Sequence, residues 1–136
     1  MEKLNKGFTL AELLIVVVII GILGGMALPR FYPQQEKAQV AEAVSILSAI
    51  RQGEAAYALE HNGSFLALSS ASANTEWVKI GIEKPNMTKF TYSVNSATRT
   101  ATATRAAAVA TYGNTTITLA EDGTWGGNHV FKPTNV

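Results

Sequence analysis

The hydrophobic positions divide the chain into two regimes. From Phe8 to Leu28 the only charged residue is Glu12, whereas from Arg30 onward charges recur throughout, as on a surface facing water. The apolar run is 21 residues long, enough for a helix to cross a hydrocarbon layer about 30 Å thick. Past Pro29 the pattern becomes that of an amphipathic helix. Val40, Val44, Leu47 and Ile50 recur at spacings of three and four, with Ala43 and Tyr57 on or near the stripe. Glu36, Lys37, Glu42, Arg51, Glu54 and Glu60 fall on the other faces. The helix is expected to stop at Glu60-His61-Asn62-Gly63, with Gly63 in the left-handed C-terminal position. A helix from Phe8 to Glu60 is about 80 Å long at 1.5 Å per residue. No small domain buries that length, so its first half is expected to protrude.

Residues 62–89 form a connector. Ser69–Asn74 reads as a surface loop, Trp77, Val78 and Ile80 as inward-facing, and Gly81–Met87 as a turn region. A strand pattern follows. Phe90–Val94 alternates, Asn95-Ser96-Ala97 joins it to a second strand as a hairpin, and Thr98, Thr100, Thr102 and Thr104 then occupy one face of that strand. The stretch 106–110 is a loop or a continuation of this strand. Thr115–Leu119 predicts a third strand, and Glu121-Asp122-Gly123-Thr124 a tight turn into a short strand near Trp125. The expected class is α+β: a long N-terminal helix, kinked or weakened near Gly21–Pro29, packed on a small antiparallel sheet of three to four strands. The head spans 30–136, with its helix over 30–61, the connector over 62–89 and the sheet over 90–131.

Three readings compete for the front of the chain. A secretory signal peptide needs a basic start, an apolar stretch and a small-x-small cleavage site, which Lys3, Lys6 and Gly25-Met26-Ala27 could supply. A simple transmembrane anchor needs only the apolar length. Neither gains anything from Glu12, although a carboxylate in a membrane helix costs roughly 2.5–3.5 kcal/mol on insertion scales. A residue that costly usually has a function and a partner. It lies one helical turn after Phe8 on the same face.

Lys6-Gly7-Phe8-Thr9-Leu10-Ala11-Glu12, followed by the apolar run through Gly21, Gly24, Gly25 and Pro29, resembles the cleavage signal and assembly helix of type IV prepilins and pseudopilins. The resemblance covers about the first quarter of the chain and implies the following. Residues 1–7 are a leader, cut between Gly7 and Phe8 by a prepilin peptidase that then methylates the Phe8 amine. Residues 8–29 are the membrane and assembly helix. Lys3 and Lys6 remain cytoplasmic, in keeping with the positive-inside rule. Glu12 pairs with the Phe8 amine of a neighbouring subunit and sets its register; pairing with its own amine one turn away is the alternative. Gly21 and Gly25 form a G-x-x-x-G spacing that permits close helix packing. Equally, the glycines and Pro29 weaken the helix, and the resemblance favours weakening. The partners implied are identical subunits, the peptidase, an inner-membrane assembly platform and the membrane itself.

Composition narrows this picture. There is no cysteine, which excludes disulfides, thiol catalysis and cysteine-based metal sites. The chain carries 11 basic and 10 acidic residues, and removing residues 1–7 leaves nine of each. Nucleic-acid binding has no electrostatic support, with Arg99 and Arg105 too sparse to form a patch. His61 and His129 lack metal-ligand spacing, and His61 suits a helix C-terminus. Glu121, Asp122 and Asn128 could offer oxygens to calcium, but a turn explains them more simply. Phe31, Tyr32 and Tyr57 read as core or subunit-contact residues rather than an electron path. No catalytic constellation and no cofactor motif is visible, so the expected role is not enzymatic. The leading expectation is a filament subunit, held in the inner membrane as a single-pass precursor and then exported into an extracellular pilus. The alternatives are a pseudopilin of type II secretion or DNA uptake, with a periplasmic location, and a membrane-tethered adhesin that does not polymerise.

Overall fold

A computed structural model describes residues 7–107 and 111–135. The elements are α1 (Leu10–Glu60), α2 (Asn74–Val78), β1 (Phe90–Asn95), β2 (Thr100–Arg105), β3 (Thr116–Ala120) and β4 (Trp125–Gly126). The four strands form one sheet in sequence order, each antiparallel to the next. The class is α+β, with a long N-terminal helix and a small antiparallel sheet. Two compact units divide the chain, Met1–Glu36 and Lys37–Val136.

The second unit has a core of its own. Val40, Ala43, Leu47 and Ile50 of α1 are buried together with Trp77, Ile80 and the inward residues of β1, β2 and β3. The helix stripe therefore runs through Ala43, and Val44 is only partly buried beside it. A small residue at position 43 lets the helix approach the sheet. The central strand applies the same logic. Ala103 of β2 lies between Tyr92 and Ile117 on its neighbours, and Ala101 lies between Val94 and Leu119. Alternating small and large residues interdigitate across the layer. The threonines of β2 occupy its opposite, half-exposed face, where β-branched side chains suit a pleated surface.

Several expectations are corrected. Glu54 is not on a polar face. It continues the buried stripe one turn beyond Ile50 and is 1% exposed. Gly63 is not the residue that turns α1 off. Asn62 takes the first left-handed position at φ 55° and Gly63 follows at φ 78°. The Gly63 N–H then donates to the Ala58 carbonyl at 2.8 Å, the longer of the two bonds in a Schellman cap. Val78 is exposed, while Trp77 and Ile80 are buried. The five-residue α2 inside the connector carries no periodic signal long enough to be read from sequence. Arg105, the last residue of β2, is buried and donates to the Lys89 carbonyl at 2.8 Å and to Gln39 Oε1. Ala106 and Ala107 leave the strand, and 108–110 lie outside the described residues.

The turn over 121–124 forms as expected. Gly123 has φ 92°, its N–H donates to the Ala120 carbonyl at 3.0 Å, and Asp122 Oδ1 accepts the Thr124 N–H at 2.8 Å. The two-residue strand β4 is closed by a side chain. The amide of Asn135 accepts from the Trp125 N–H at 2.6 Å and donates to its carbonyl at 2.9 Å. An amide can substitute for a strand in this way, satisfying an exposed sheet edge.

Candidate functional site

The motif residues Gly7, Phe8 and Glu12 come together at the start of α1. Gly7, Phe8 and Thr9 precede the helix, and Leu10 is its first residue. Thr9 is the N-cap. Its hydroxyl oxygen accepts the Glu12 N–H at 3.2 Å, and Glu12 Oε2 accepts the Thr9 N–H at 2.8 Å and the Thr9 hydroxyl at 2.9 Å. The Thr9 carbonyl accepts the Leu13 N–H at 3.2 Å. This is a capping box, in which two backbone donors left over at a helix start are satisfied reciprocally. The carboxylate also lies at the positive end of the helix dipole.

The capping box has two chemical consequences. It ends the helix before the Gly7–Phe8 peptide, so that bond lies in irregular backbone, with Gly7 exposed and Phe8 82% exposed. It also gives Glu12 a partner within its own chain. Sequence reading considered only an amine partner for Glu12. The signal for the other was present as Thr-x-x-Glu before an apolar run. Lys3 and Lys6 lie outside the described residues.

Gly21, Gly24, Gly25 and Pro29 lie within α1, which runs through them and through Pro33 as one helix. The expected weakening is thus not a break in the helix of this single chain. A Cβ at Gly21, Gly24 or Gly25 would meet no atom within 4 Å, so no neighbour among the described residues crowds these glycines. Pro29 and Pro33 lack an N–H, which leaves the Gly25 and Pro29 carbonyls without their i+4 donors. The large apolar residues of this stretch, Leu13 through Leu28, are exposed.

The other candidates lie elsewhere. His61 Nδ1 is 2.9 Å from the Tyr57 carbonyl, and its ring stacks on Tyr57 with centroids 3.7 Å apart. His129 is buried among the rings of Phe90, Tyr112 and Phe131. Glu121 pairs with Arg99 at 2.9 Å. Asp122 is held below the usual carboxylate range by its backbone and side-chain hydrogen bonds to Thr124. Asn128 Oδ1 accepts the Thr116 N–H at 2.7 Å. These oxygens are committed to turns and strand ends, and among the described residues no group of three acidic, His or Cys side chains could hold a metal. Phe31 and Tyr32 are exposed rather than core residues, while Tyr57 packs partly buried against the core.

The family profile described as the prokaryotic N-terminal methylation motif matches residues 3–28. The chain is 39% identical over 85 residues to the type IV major pilin protein PilE of Neisseria gonorrhoeae, a match covering 58% of this chain and 51% of that one. It is 43% identical over 61 residues to a fimbrial protein of Neisseria meningitidis, covering 45% and 36%. It is 40% identical over 75 residues to a fimbrial protein of Pseudomonas aeruginosa, covering 55% and 47%. The chain thus spans about half or less of the length of these relatives. No solved structure matches it. The resemblance read from Lys6 to Pro29 coincides with the matched methylation motif.

Proposed function

We propose that this chain is the subunit of a type IV pilus-like filament, made as a membrane-inserted precursor and polymerised through α1. One observation carries the reading. A matched N-terminal methylation motif opens directly into a helix whose apolar side chains from Leu13 to Leu28 all lie exposed, and Glu12 is the only charge between Phe8 and Leu28. Burying those side chains stabilises whatever covers them, at about 25 cal/mol per Å² of apolar surface. Lipid does this for the precursor, and the helices of neighbouring copies do it for the filament. The role is structural rather than catalytic.

In this reading a prepilin peptidase cuts between Gly7 and Phe8 and methylates the new amine. The cut leaves Thr9 and Glu12 in place, so the capping box survives processing and keeps the carboxylate hydrogen-bonded in the membrane. During assembly Glu12 pairs with the Phe8 amine of a neighbouring copy. An added copy one residue out of register leaves a carboxylate unpaired in an apolar surrounding, and unpaired buried charge is strongly unfavourable. Gly21, Gly24, Gly25 and Pro29 supply the weak stretch where α1 can lose helical bonds on assembly. The leader 1–7, the assembly segment 8–29 and the head 30–136 are the functional divisions. An inner-membrane assembly platform receives the processed chain, whose N-terminus is cytoplasmic, and passes it into an extracellular filament. The relatives' names, major pilin and fimbrial protein, support a pilus over a pseudopilus.

Intact-mass measurement of the purified filament protein tests this. The expected chain begins at N-methylated Phe8 and has 129 of the 136 residues. A mature chain beginning at Leu28 would mean ordinary signal peptidase had cut after Ala27, and the pilin reading would fall.

A further inference from the structure

We propose that residues 29–33 of α1 form an anchor in the phospholipid headgroup layer, one that fixes the depth of the precursor in the bilayer. The inference rests on the membrane reading above and adds a partner for Arg30, Phe31 and Tyr32, which that reading does not use. Between Glu12 and Arg30 there is no charge, so Arg30 is the first group that cannot enter hydrocarbon. Phe31 and Tyr32 follow at once and are 69% and 66% exposed. Two large aromatic side chains on water are unfavourable, and neither packs on a core. Tyrosine and tryptophan collect at the level of the headgroups, where an apolar ring and a polar tip are both accommodated; Tyr32 is of this kind, and Phe31 adds an apolar ring beside it.

The backbone points to the same layer. Within the segment, Pro33 leaves the carbonyl of Pro29 without its helix donor. Hydrocarbon offers nothing to such groups, whereas the hydrated headgroup region offers water. Charge agrees as well, because the exposed guanidinium of Arg30 matches lipid phosphate in geometry and sign. Length closes the argument. The 19 helical residues from Leu10 to Leu28 span about 28 Å, close to the hydrocarbon thickness. Residues 29–33 then reach the far headgroups as Phe8 leaves the near ones.

The absence of cysteine makes the test clean, since a single introduced thiol carries a spin label without competition. Full-length chains bearing Ile19→Cys or Leu28→Cys are reconstituted into vesicles of phosphatidylethanolamine and phosphatidylglycerol. Label depth is read from collision with oxygen against collision with a water-soluble nickel chelate. The expected result is a deep Ile19 label and a Leu28 label just below the headgroups. Phe31→Ala with Tyr32→Ala should leave the Ile19 label inserted and raise chelate access at the Leu28 label about twofold or more. Phe31→Trp with Tyr32→Trp should keep the parent profile. An unchanged Leu28 profile in the double alanine chain overturns the anchor. If filament yield also falls in that chain, the aromatic pair serves a contact between copies instead. A water-exposed Ile19 label in the parent would remove the membrane reading itself, a distinct failure from loss of the anchor alone.

Discussion

Two glutamates on one helix show how much a residue's role depends on what surrounds it. Glu12 is exposed and satisfies the helix start with Thr9. Glu54 is buried in the core of the second unit, where one oxygen accepts the Leu66 N–H at 2.8 Å and the other has no hydrogen-bond partner among the described residues. Burial pushes the Glu54 carboxyl above its usual range, and the bond from Leu66 only partly opposes that. The sign of the linkage follows. A pKa raised on folding means that the folded chain holds the proton more tightly than the unfolded chain. The contribution to stability is therefore full below the unfolded pKa and is lost as pH rises through the folded one. Glu54→Gln keeps an acceptor for Leu66 and removes the titration. Thermal unfolding of the two chains between pH 4 and pH 8 should show the parent losing stability relative to the variant as pH rises. Parallel curves would mean that Glu54 is not buried as an acid.

At the scale of elements, α1 lies close against the connector at Gly53. A Cβ at that position would sit 2.0 Å from the Ile80 carbonyl oxygen. Two effects then oppose each other in Gly53→Ala. Helix propensity favours alanine by about 1 kcal/mol. Overpacking typically costs about 1–3 kcal/mol, and here the obstacle is backbone, which cannot rotate away. Overpacking should win, and urea unfolding should give a lower midpoint for the variant. A raised midpoint would show that the contact relaxes freely. Sequence reading missed Gly53 because a single glycine inside a helical pattern looks like a tolerated defect. It placed Glu54 outside because a carboxylate is seldom fully buried. Where periodicity was strong, the elements were legible. The alternation of Thr100, Thr102 and Thr104 in β2, the turn at Asp122-Gly123 and the buried set Val40, Leu47 and Ile50 stand where the pattern put them, whereas Thr98 falls in the turn before β2, next to Arg99 at φ 51°. The five residues of α2 and the choice of Asn62 over Gly63 were not legible, because tertiary packing and a single dihedral angle decided them. At the candidate site the residues could be named from sequence, but the bond between Thr9 and Glu12 was overlooked.

At the scale of the whole molecule, one chain has to satisfy two surroundings. Unit 2 buries its apolar residues in its own core, while the apolar residues of segment 8–28 are exposed. On the reading proposed above, lipid covers that segment in the precursor and other copies cover it in the filament, and Glu12 distinguishes the two. On that reading the capping box holds the carboxylate in the membrane, where a charge costs up to roughly 2.5–3.5 kcal/mol at the centre of the bilayer. In a filament the amine of a neighbour can offset that cost. Glu12→Ala should therefore leave insertion intact or easier while assembly fails or slows sharply, though it also removes half of the capping box. Glu12→Gln separates the two roles. Its amide oxygen can still accept the Thr9 N–H, so the helix start is kept and only the charge is lost. Sheared filaments should be quantified at equal amounts of processed protein, because methylation of Phe8 could itself suffer. A filament defect in both variants assigns Glu12 to charge pairing between copies. A defect in Glu12→Ala alone assigns it to the helix start. Normal filaments from both would mean that Glu12 sets no register, and its cost would have to be justified before assembly, in the membrane.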